Sequence, residues 1–334
     1  MKEVLYLTRQ GTKACYRDGE IVVECGNAPA ARYSSQTVKA VYIFGNVELS
    51  SKLMNLIMRK GIDCVFLTID GRFKGRVQNQ NLRLVKLRRA QYDMSVNKRD
   101  RQLEIARVVV ESKIKNQRSL LIKFNRRSDP VVSGACVKLR KFRENIYSIK
   151  EPEILMGIEG IAGRYYWQAF KKLLKKDFGF AERAMHPPPD PVNAALSFGY
   201  TLLYNEISNI CQIEGLDVYL GFFHATEDRR ASLALDLMEE FRTPVVDYPV
   251  LRMFNLKSLI MDDFEEIEKG IKVYLSGEGR TKLIYNFRER LQTEVPDIEH
   301  KNPVKIINLI KRQVAGYKTF VRQEHEYRGY EWSE

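Results

Sequence analysis

Long apolar runs are absent from this 334-residue chain. No stretch approaches the ~20 residues of a membrane-spanning helix, which argues against a helical membrane protein and against any membrane partner. The opening residues, MKEVLYLTRQGTK, lack the apolar core and small-residue cleavage site of a signal peptide, so a cytoplasmic location is expected. Cysteine is sparse and scattered, at Cys15, Cys25, Cys64, Cys136 and Cys211. None forms C-x-x-C, which argues against a zinc ribbon or dithiol redox centre and leaves incidental, mostly buried thiols. Histidine is limited to His186, His224, His300 and His325. No P-loop G-x-x-x-x-G-K-S/T, no H-E-x-x-H helix and no G-x-S-x-G elbow occurs, and no histidine is followed by aspartate.

Positive charge is in excess. Lys and Arg number 55 against 42 Asp and Glu, a formal net charge of +13. Residues 72–127 hold 17 Lys and Arg against Asp93, Asp100, Glu104 and Glu111, an excess equal to that of the whole chain. Such a segment repels itself unless a polyanion or an acidic neighbour compensates. A solvated helix face is the plain alternative, but charge this concentrated favours nucleic acid. Candidate phosphate contacts are Arg72, Arg76, Arg83, Arg88, Arg89 and Arg164, with further cations in Lys138–Arg143 (KLRKFR).

The length allows about two domains. The expected fold class is α+β: a β-rich, sandwich-like domain over 1–82 with one short helix, a linker over 83–99, and a larger all-α domain over 100–322. Val38–Phe44 (VKAVYIF) and Cys64–Ile69 (CVFLTI) read as strands. Ser50-Ser51 can cap a helix over Lys52–Lys60, stopped by Gly61. Helices are expected over Asp100–Lys123, Glu151–Leu174, Val192–Ile213 with Asp190-Pro191 at its start, Ser232–Phe241, Arg252–Asn255, Asp262–Leu275, Gly279–Leu291 and Pro303–Lys318. The tail, 323–334, is polar with isolated aromatics: disordered on its own, or a segment that docks on a partner.

Chemistry concentrates in GFFHATEDRRASLALDLMEEFR, residues 221–242. Asp236 and Glu239 are three apart, so a helix sets both carboxylates on one face. Asp236 sits within an apolar run, where a carboxylate is costly without a compensating partner. With His224 nearby, one imidazole and two carboxylates form a ligand set for a hard or borderline divalent cation. The competing reading pairs Asp236 with Arg229, Arg230 or Arg242 and leaves Glu239-Glu240 on a solvated face. Two further pieces stand apart. Glu159 lies among Gly157, Gly160 and Gly163, where another helix or a ligand can approach closely. Asn193, Ser197 and Tyr200 form a polar stripe on one face of an apolar helix, which needs partners: an active site, or ordinary interhelical hydrogen bonds.

Three blocks together carry a resemblance over essentially the whole chain: VYIFGNVELSSKLMNLIMRKGIDCVFL; EGIAGRYYW with HPPPDPVNAALSFGYTLLYNEI; and GLDVYLGFFHATEDRRASLALDLMEEFRTPVVD. The sequence resembles the universal CRISPR-associated DNA endonuclease family, the integrases of spacer adaptation. The resemblance implies an amino-terminal β domain, a carboxy-terminal helical domain and a homodimer formed largely through the β domains. It also implies double-stranded DNA as substrate and a small ferredoxin-like CRISPR adaptation protein as partner. Glu159, His224 and Glu239 match that family's metal ligands. Asp236 matches an extra acidic position, and Asn193 and Tyr200 match polar positions near the site. Met185-His186 stand before the prolines where a more basic pair fits the pattern, which leaves Arg183 as that loop's candidate DNA contact. Mg²⁺ or Mn²⁺ is the expected cofactor, since oxygen-rich ligation favours either over structural zinc. The expected activity is phosphodiester cleavage or 3′-hydroxyl transfer that inserts short foreign DNA into a CRISPR array. The rival expectation is a basic, non-catalytic DNA scaffold, which explains the charge but not the acidic residues.

Overall fold

A computed structural model describes residues 3–26, 28–69, 71, 73–77, 84–126, 128–184, 187–224, 231–267, 272–297, 302–323 and 325–332. The amino-terminal part runs β1 (Glu3–Leu7), β2 (Thr12–Arg17), β3 (Glu20–Cys25), β4 (Ala28–Ser34), β5 (Val38–Phe44), β6 (Val47–Leu49), α1 (Ser51–Lys60), β7 (Asp63–Leu67) and β8 (Phe73–Val77). These strands make two four-stranded sheets, β1-β5-β7-β8 and β4-β3-β2-β6. In the first, β5 pairs in parallel with β1 and β7, while β8 returns antiparallel.

Side chains alternate between the two faces of a strand, and the first sheet buries both. Leu5, Leu7, Val41, Ile43 and Cys64 meet Ala14, Ile21 and Val23 of the second sheet, with Leu53, Leu56 and Ile57 of α1 closing that core. Ala40, Tyr42, Phe44, Val65 and Leu67 face the other way, into the core of the helical part. A strand buried on both faces reads as continuous apolar sequence, which is why VKAVYIF is so hydrophobic. The predicted cap of α1 is present: Ser50 Oγ accepts from the Leu53 amide at 3.2 Å, and Gly61 ends the helix with φ 64°.

The second part runs α2 (Val85–Asn97), α3 (Arg99–Phe124), α4 (Pro130–Glu144), α5 (Pro152–Leu173), α6 (Pro191–Ile213), α7 (Ser232–Arg242), a π-helical turn over Thr243–Asp247, α8 (Tyr248–Asn255), β9 (Phe264–Ile267), β10 (Lys272–Leu275), α9 (Gly277–Gln292), β11 (Glu294–Val295), β12 (Val304–Lys305) and α10 (Ile306–Val321). The two parts join through α6. Phe198 packs on Phe44 with ring centroids 5.8 Å apart, and Tyr42 donates its hydroxyl to Glu206 at 3.4 Å. Asp190 caps α6 by accepting from the Asn193 amide at 2.8 Å, with Pro191 in the first turn.

Three expectations need correcting. Within the expected helix 262–275, the described residues 262–267 and 272–275 are not helical. A 3₁₀ turn (Met261–Asp263) leads into the antiparallel hairpin β9–β10, in which Val273 and Leu275 alternate into the core; the apolar spacing there fits period 2 as well as period 3.6. Residues 85–97, read as linker, form α2. Its buried Gln91 donates to Asp217 O at 2.7 Å and Leu220 O at 3.2 Å and accepts from the Asp217 amide at 2.9 Å. The tail is ordered over 325–332: Tyr327, Tyr330 and Trp332 are buried. Asn116 of α3 donates to Tyr330 O at 3.1 Å and accepts from the Trp332 amide at 2.8 Å. Its aromatics look isolated in sequence but enter one core side by side.

Candidate active site

The middle of α3, the middle of α5, the loop before α7 and the third turn of α7 come together. The loop is set first. Gly221 donates its amide to Ser232 Oγ at 3.1 Å, and Ser232 Oγ donates to Tyr219 O at 2.6 Å. A Cβ on Gly221 would lie 2.6 Å from Asp236 Oδ2, so only glycine lets the chain pass this close. Asp236 is fully buried, and three successive amides converge on it. Oδ2 accepts from Phe222 at 2.6 Å and Phe223 at 3.0 Å; Oδ1 accepts from His224 at 3.0 Å. Such a nest of N–H groups suits an anion. Hydrogen bonds from its own backbone therefore meet the cost of burying Asp236, with no arginine required. Oδ1 also meets His224 Nδ1 at 2.6 Å. With the proton on Nδ1, the lone pair of Nε2 points outward. Nε2 lies 3.9 Å from Glu239 Oε1.

Glu239 is 2% exposed and surrounded by cations. Arg242, one turn along α7, reaches Oε1 at 2.9 Å, and Lys113 Nζ of α3 stands 2.6 Å from Oε2. Burial by itself favours the neutral acid, but Arg242, Lys113 and His224 outweigh it and hold Glu239 down at about 2. The same Lys113 ammonium bonds Glu159 Oε1 of α5. Burial works against the Lys113 charge, yet Glu239 and Glu159 raise its pKa above the ordinary value. Two carboxylates from different helices thus share one nitrogen. Glu239 Oε2 meets it without the angle of a directed hydrogen bond. Among the described residues, no three His, Cys, Asp or Glu groups stand assembled around a metal position; the ammonium holds the centre.

Glu159 is partly exposed, and a Cβ on Gly157, Gly160 or Gly163 would meet nothing within 4 Å. Among the described residues nothing crowds these glycines, which leaves Glu159 open to a ligand from that side.

The polar stripe of α6 joins the site indirectly. Asn193 Oδ1 accepts from Arg183 at 2.7 Å and from the Ala184 amide at 2.9 Å, and Ser197 Oγ accepts from Arg183 at 3.0 Å. The Arg183 and Arg242 guanidinium carbons both lie over the Tyr200 ring, 5.3 and 5.0 Å from its centroid. Tyr200 donates its hydroxyl to Asp247 at 2.5 Å, Tyr166 donates at 2.8 Å and Thr243 at 3.2 Å. Burial pushes Asp247 up, against those hydrogen bonds and Arg242. The π-helical turn after α7 carries Asp247 to this position between α5 and α6. Asn193, Ser197 and Tyr200 therefore fix Arg183 and Arg242, and Arg242 in turn fixes Glu239.

Comparison with known proteins bears on this arrangement. The family model described as CRISPR associated protein Cas1 matches residues 5–289. CRISPR-associated endonuclease Cas1 1 of Thermus thermophilus is 36% identical over 287 residues, 86% of each chain. CRISPR-associated endonuclease Cas1 2 of Rhodospirillum rubrum is 34% identical over 335 residues, 94% of this chain and 95% of its own. The chain belongs to the Cas1 family. Membership makes it an enzyme of the CRISPR endonuclease and integrase class. The fold is that of solved relatives: a Cas1 protein from Thermotoga maritima (TM-score 0.82, 24% identity, 98% of this chain and 100% of that one) and a casposase bound to integration product (TM-score 0.84, 22% identity, 98% and 93%).

In this Cas1 chain the basic candidates divide. Arg88 and Arg89 of α2 and Arg164 of α5 are exposed. Arg76 is committed elsewhere: its guanidinium bonds Asp63 at 2.6 and 2.7 Å and Asn209 at 3.3 Å, tying the sheet to α6. Arg183 is largely consumed by Asn193, Ser197 and Tyr200. Arg72, Arg83, Met185, His186, Arg229 and Arg230 lie outside the described residues. Other cations of the +13 segment have partners within the fold: Arg99 pairs with Glu153, Arg101 with Glu104, Lys115 with Glu331, and Arg118 donates to Cys136 O. Sequence reasoning missed Lys113 and Asp247. Lys113 could have been found, because it follows Val109 and Val110 by four and three residues on the apolar face of α3. A lysine in such a place calls for buried acids.

Proposed function

We propose that this protein is a divalent-metal-dependent DNA endonuclease and integrase that inserts short foreign DNA fragments into a CRISPR array. The observation that carries this reading is the convergence of Glu159 and Glu239, from separate helices, on one cation beside His224 Nε2. Two carboxylates and an imidazole whose tautomer is fixed from behind suit Mg²⁺ or Mn²⁺, and the centre already holds a positive charge. Bound there, the ion would supply Lewis acidity to a phosphodiester and lower the pKa of an attacking water or 3′-hydroxyl.

The protein's own groups do the rest. Glu159, His224 and Glu239 would hold the ion, while Asp236 keeps the imidazole proton on Nδ1 so that Nε2 can ligate. Arg242 keeps Glu239 ionised and aimed. Tyr200 packs against Arg242, while Asn193 and Ser197 hold Arg183 on the same ring. Arg88, Arg89 and Arg164 are placed for phosphates, with a steep loss of DNA affinity in salt expected. Phosphoryl transfer asks for positioning and charge neutralisation more than covalent chemistry, and these residues supply both. Double-stranded DNA, a homodimer through the β domains and a small ferredoxin-like adaptation protein complete the reading. It is supported by a shared fold with a chain of a Cas6-RT-Cas1–Cas2 complex (TM-score 0.83, 24% identity, all of this chain and 36% of that one) and with the integration-product-bound casposase. A cytoplasmic setting suits five free thiols; among the described residues no helix is long and apolar enough to cross a membrane.

The test is a strand-cleavage and strand-transfer assay on labelled DNA with Mn²⁺ or Mg²⁺, with and without EDTA. His224→Ala and Glu159→Ala should abolish both reactions while remaining folded. A metal-independent gel shift with no strand breakage would instead identify a DNA scaffold.

A further inference from the structure

Lys113 has no part in the ligand set, yet it occupies the centre of the site. Its ammonium touches both Glu159 and Glu239, and its side chain is 9% exposed. It enters from α3, a helix that contributes no carboxylate or imidazole here. The surroundings hold it firmly. Asn116, one turn on, is tied to Glu240 O at 2.8 Å and to the tail, and α3 packs against both α5 and α7. A buried lysine is costly unless paired, and two acids pair it. Removing Lys113 would leave Glu159 facing Glu239 with the remaining offset from Arg242 and His224, which act on Glu239, a like-charge arrangement.

We propose that Lys113 is a built-in counter-ion that stands in for the divalent cation. In the metal-free protein its ammonium holds the two carboxylates at one point. Metal and ammonium compete for the same oxygens, so loading requires the lysine to withdraw, and the affinity for metal is set below what the ligands alone would give. This inference rests on the metal-site reading above. Lys113 is accordingly a positioning residue, whose effect reaches the reaction through Glu159 and Glu239.

The test is direct Mn²⁺ binding, read from the free-ion signal in electron paramagnetic resonance, together with melting temperatures in EDTA and in Mn²⁺. Wild type, Lys113→Met, Lys113→Arg and His224→Ala would be compared, with Lys113→Gln as a second neutral variant if Lys113→Met misfolds. Loss of the competing charge should tighten Mn²⁺ binding by about tenfold or more, the order expected for one partly buried ion pair. The neutral variants should melt below wild type in EDTA and regain the difference in Mn²⁺. Lys113→Arg should stay near wild type. Unchanged or weaker Mn²⁺ binding by both neutral variants, with binding lost in His224→Ala, overturns the counter-ion role and leaves the metal reading standing. No Mn²⁺ binding by any variant or by wild type removes the metal reading and this inference with it.

Discussion

Asp236→Asn separates a supporting carboxylate from a ligand. In the native site each oxygen of Asp236 serves two donors: Oδ2 takes the Phe222 and Phe223 amides, and Oδ1 takes the His224 amide and Nδ1. Asparagine keeps the shape but has one acceptor. With its oxygen left on Phe222 and Phe223, its NH₂ faces two donors at His224. The imidazole can relieve half of that conflict by moving its proton to Nε2, so that Nδ1 accepts. Nε2 would then carry hydrogen and could not ligate. One unmet buried amide should cost roughly 1–3 kcal/mol of stability, and loss of an outer partner to a ligating histidine about 10–100-fold in metal affinity or activity. Asp236→Ala orphans three amides and should cost on the order of 3–6 kcal/mol. The assays are urea unfolding, ¹⁵N chemical shifts of His224 for the tautomer, and Mn²⁺-dependent DNA cleavage. An asparagine variant that keeps the Nδ1–H tautomer, or keeps it lost with full metal affinity, would refute the reasoning.

Glu240, fully buried beside Gln313 and Tyr327, is pushed up from 4.5 to about 7 by burial, in spite of those hydrogen bonds. A raised carboxylate stabilises most below its unfolded pKa, so it should forfeit about 3 kcal/mol as pH rises from 4.5 through 7; Glu240→Gln should flatten that window in unfolding curves measured against wild type. Glu239, held low, gives the opposite slope only below 4.5 and does not confuse the comparison. Gly221→Ala forces a Cβ against Asp236 and Ser232 and should cost about 1–3 kcal/mol while cutting cleavage activity, checked by melting and DNA cleavage together. Trp332→Ala should lower the unfolding free energy by about 3 kcal/mol in urea titration, whereas a tail without packing would show no change.

How much was legible varied with how local the determining physics is. Helix α1 was readable because its cap, apolar face and stop lie within twelve residues, and each does its work through the neighbouring backbone. The start of α6 at Asp190-Pro191 was readable for the same reason. The block containing His224, Asp236 and Glu239 drew attention because carboxylates interrupt an apolar stretch, a cost visible in sequence. What the sequence could not show is how each acid is satisfied. Asp236 is met by loop amides set by Gly221, where arginines had seemed natural partners, and Arg242 belongs to Glu239. Lys113, 46 residues from Glu159, is joined to it only by the packing of α3 on α5. The antiparallel pair β9–β10 was missed because its short apolar pattern fits both periods. The tail was misjudged because Tyr327, Tyr330 and Trp332 gain their burial largely from helices α3, α7, α8 and α10, whose packing the tail's own sequence does not show. Charge counts do not reveal that Arg76, Arg99, Arg101 and Lys115 of the basic segment have acidic partners within the fold.

The most direct measurement is a crystal soaked in Mn²⁺ and recorded at a wavelength where manganese scatters anomalously. The expected result is a peak bounded by Glu159, His224 Nε2 and Glu239, with the Lys113 ammonium moved away from the carboxylates. A peak elsewhere with this position empty, or Lys113 still bridging Glu159 and Glu239 at saturating Mn²⁺, would contradict the proposed metal centre.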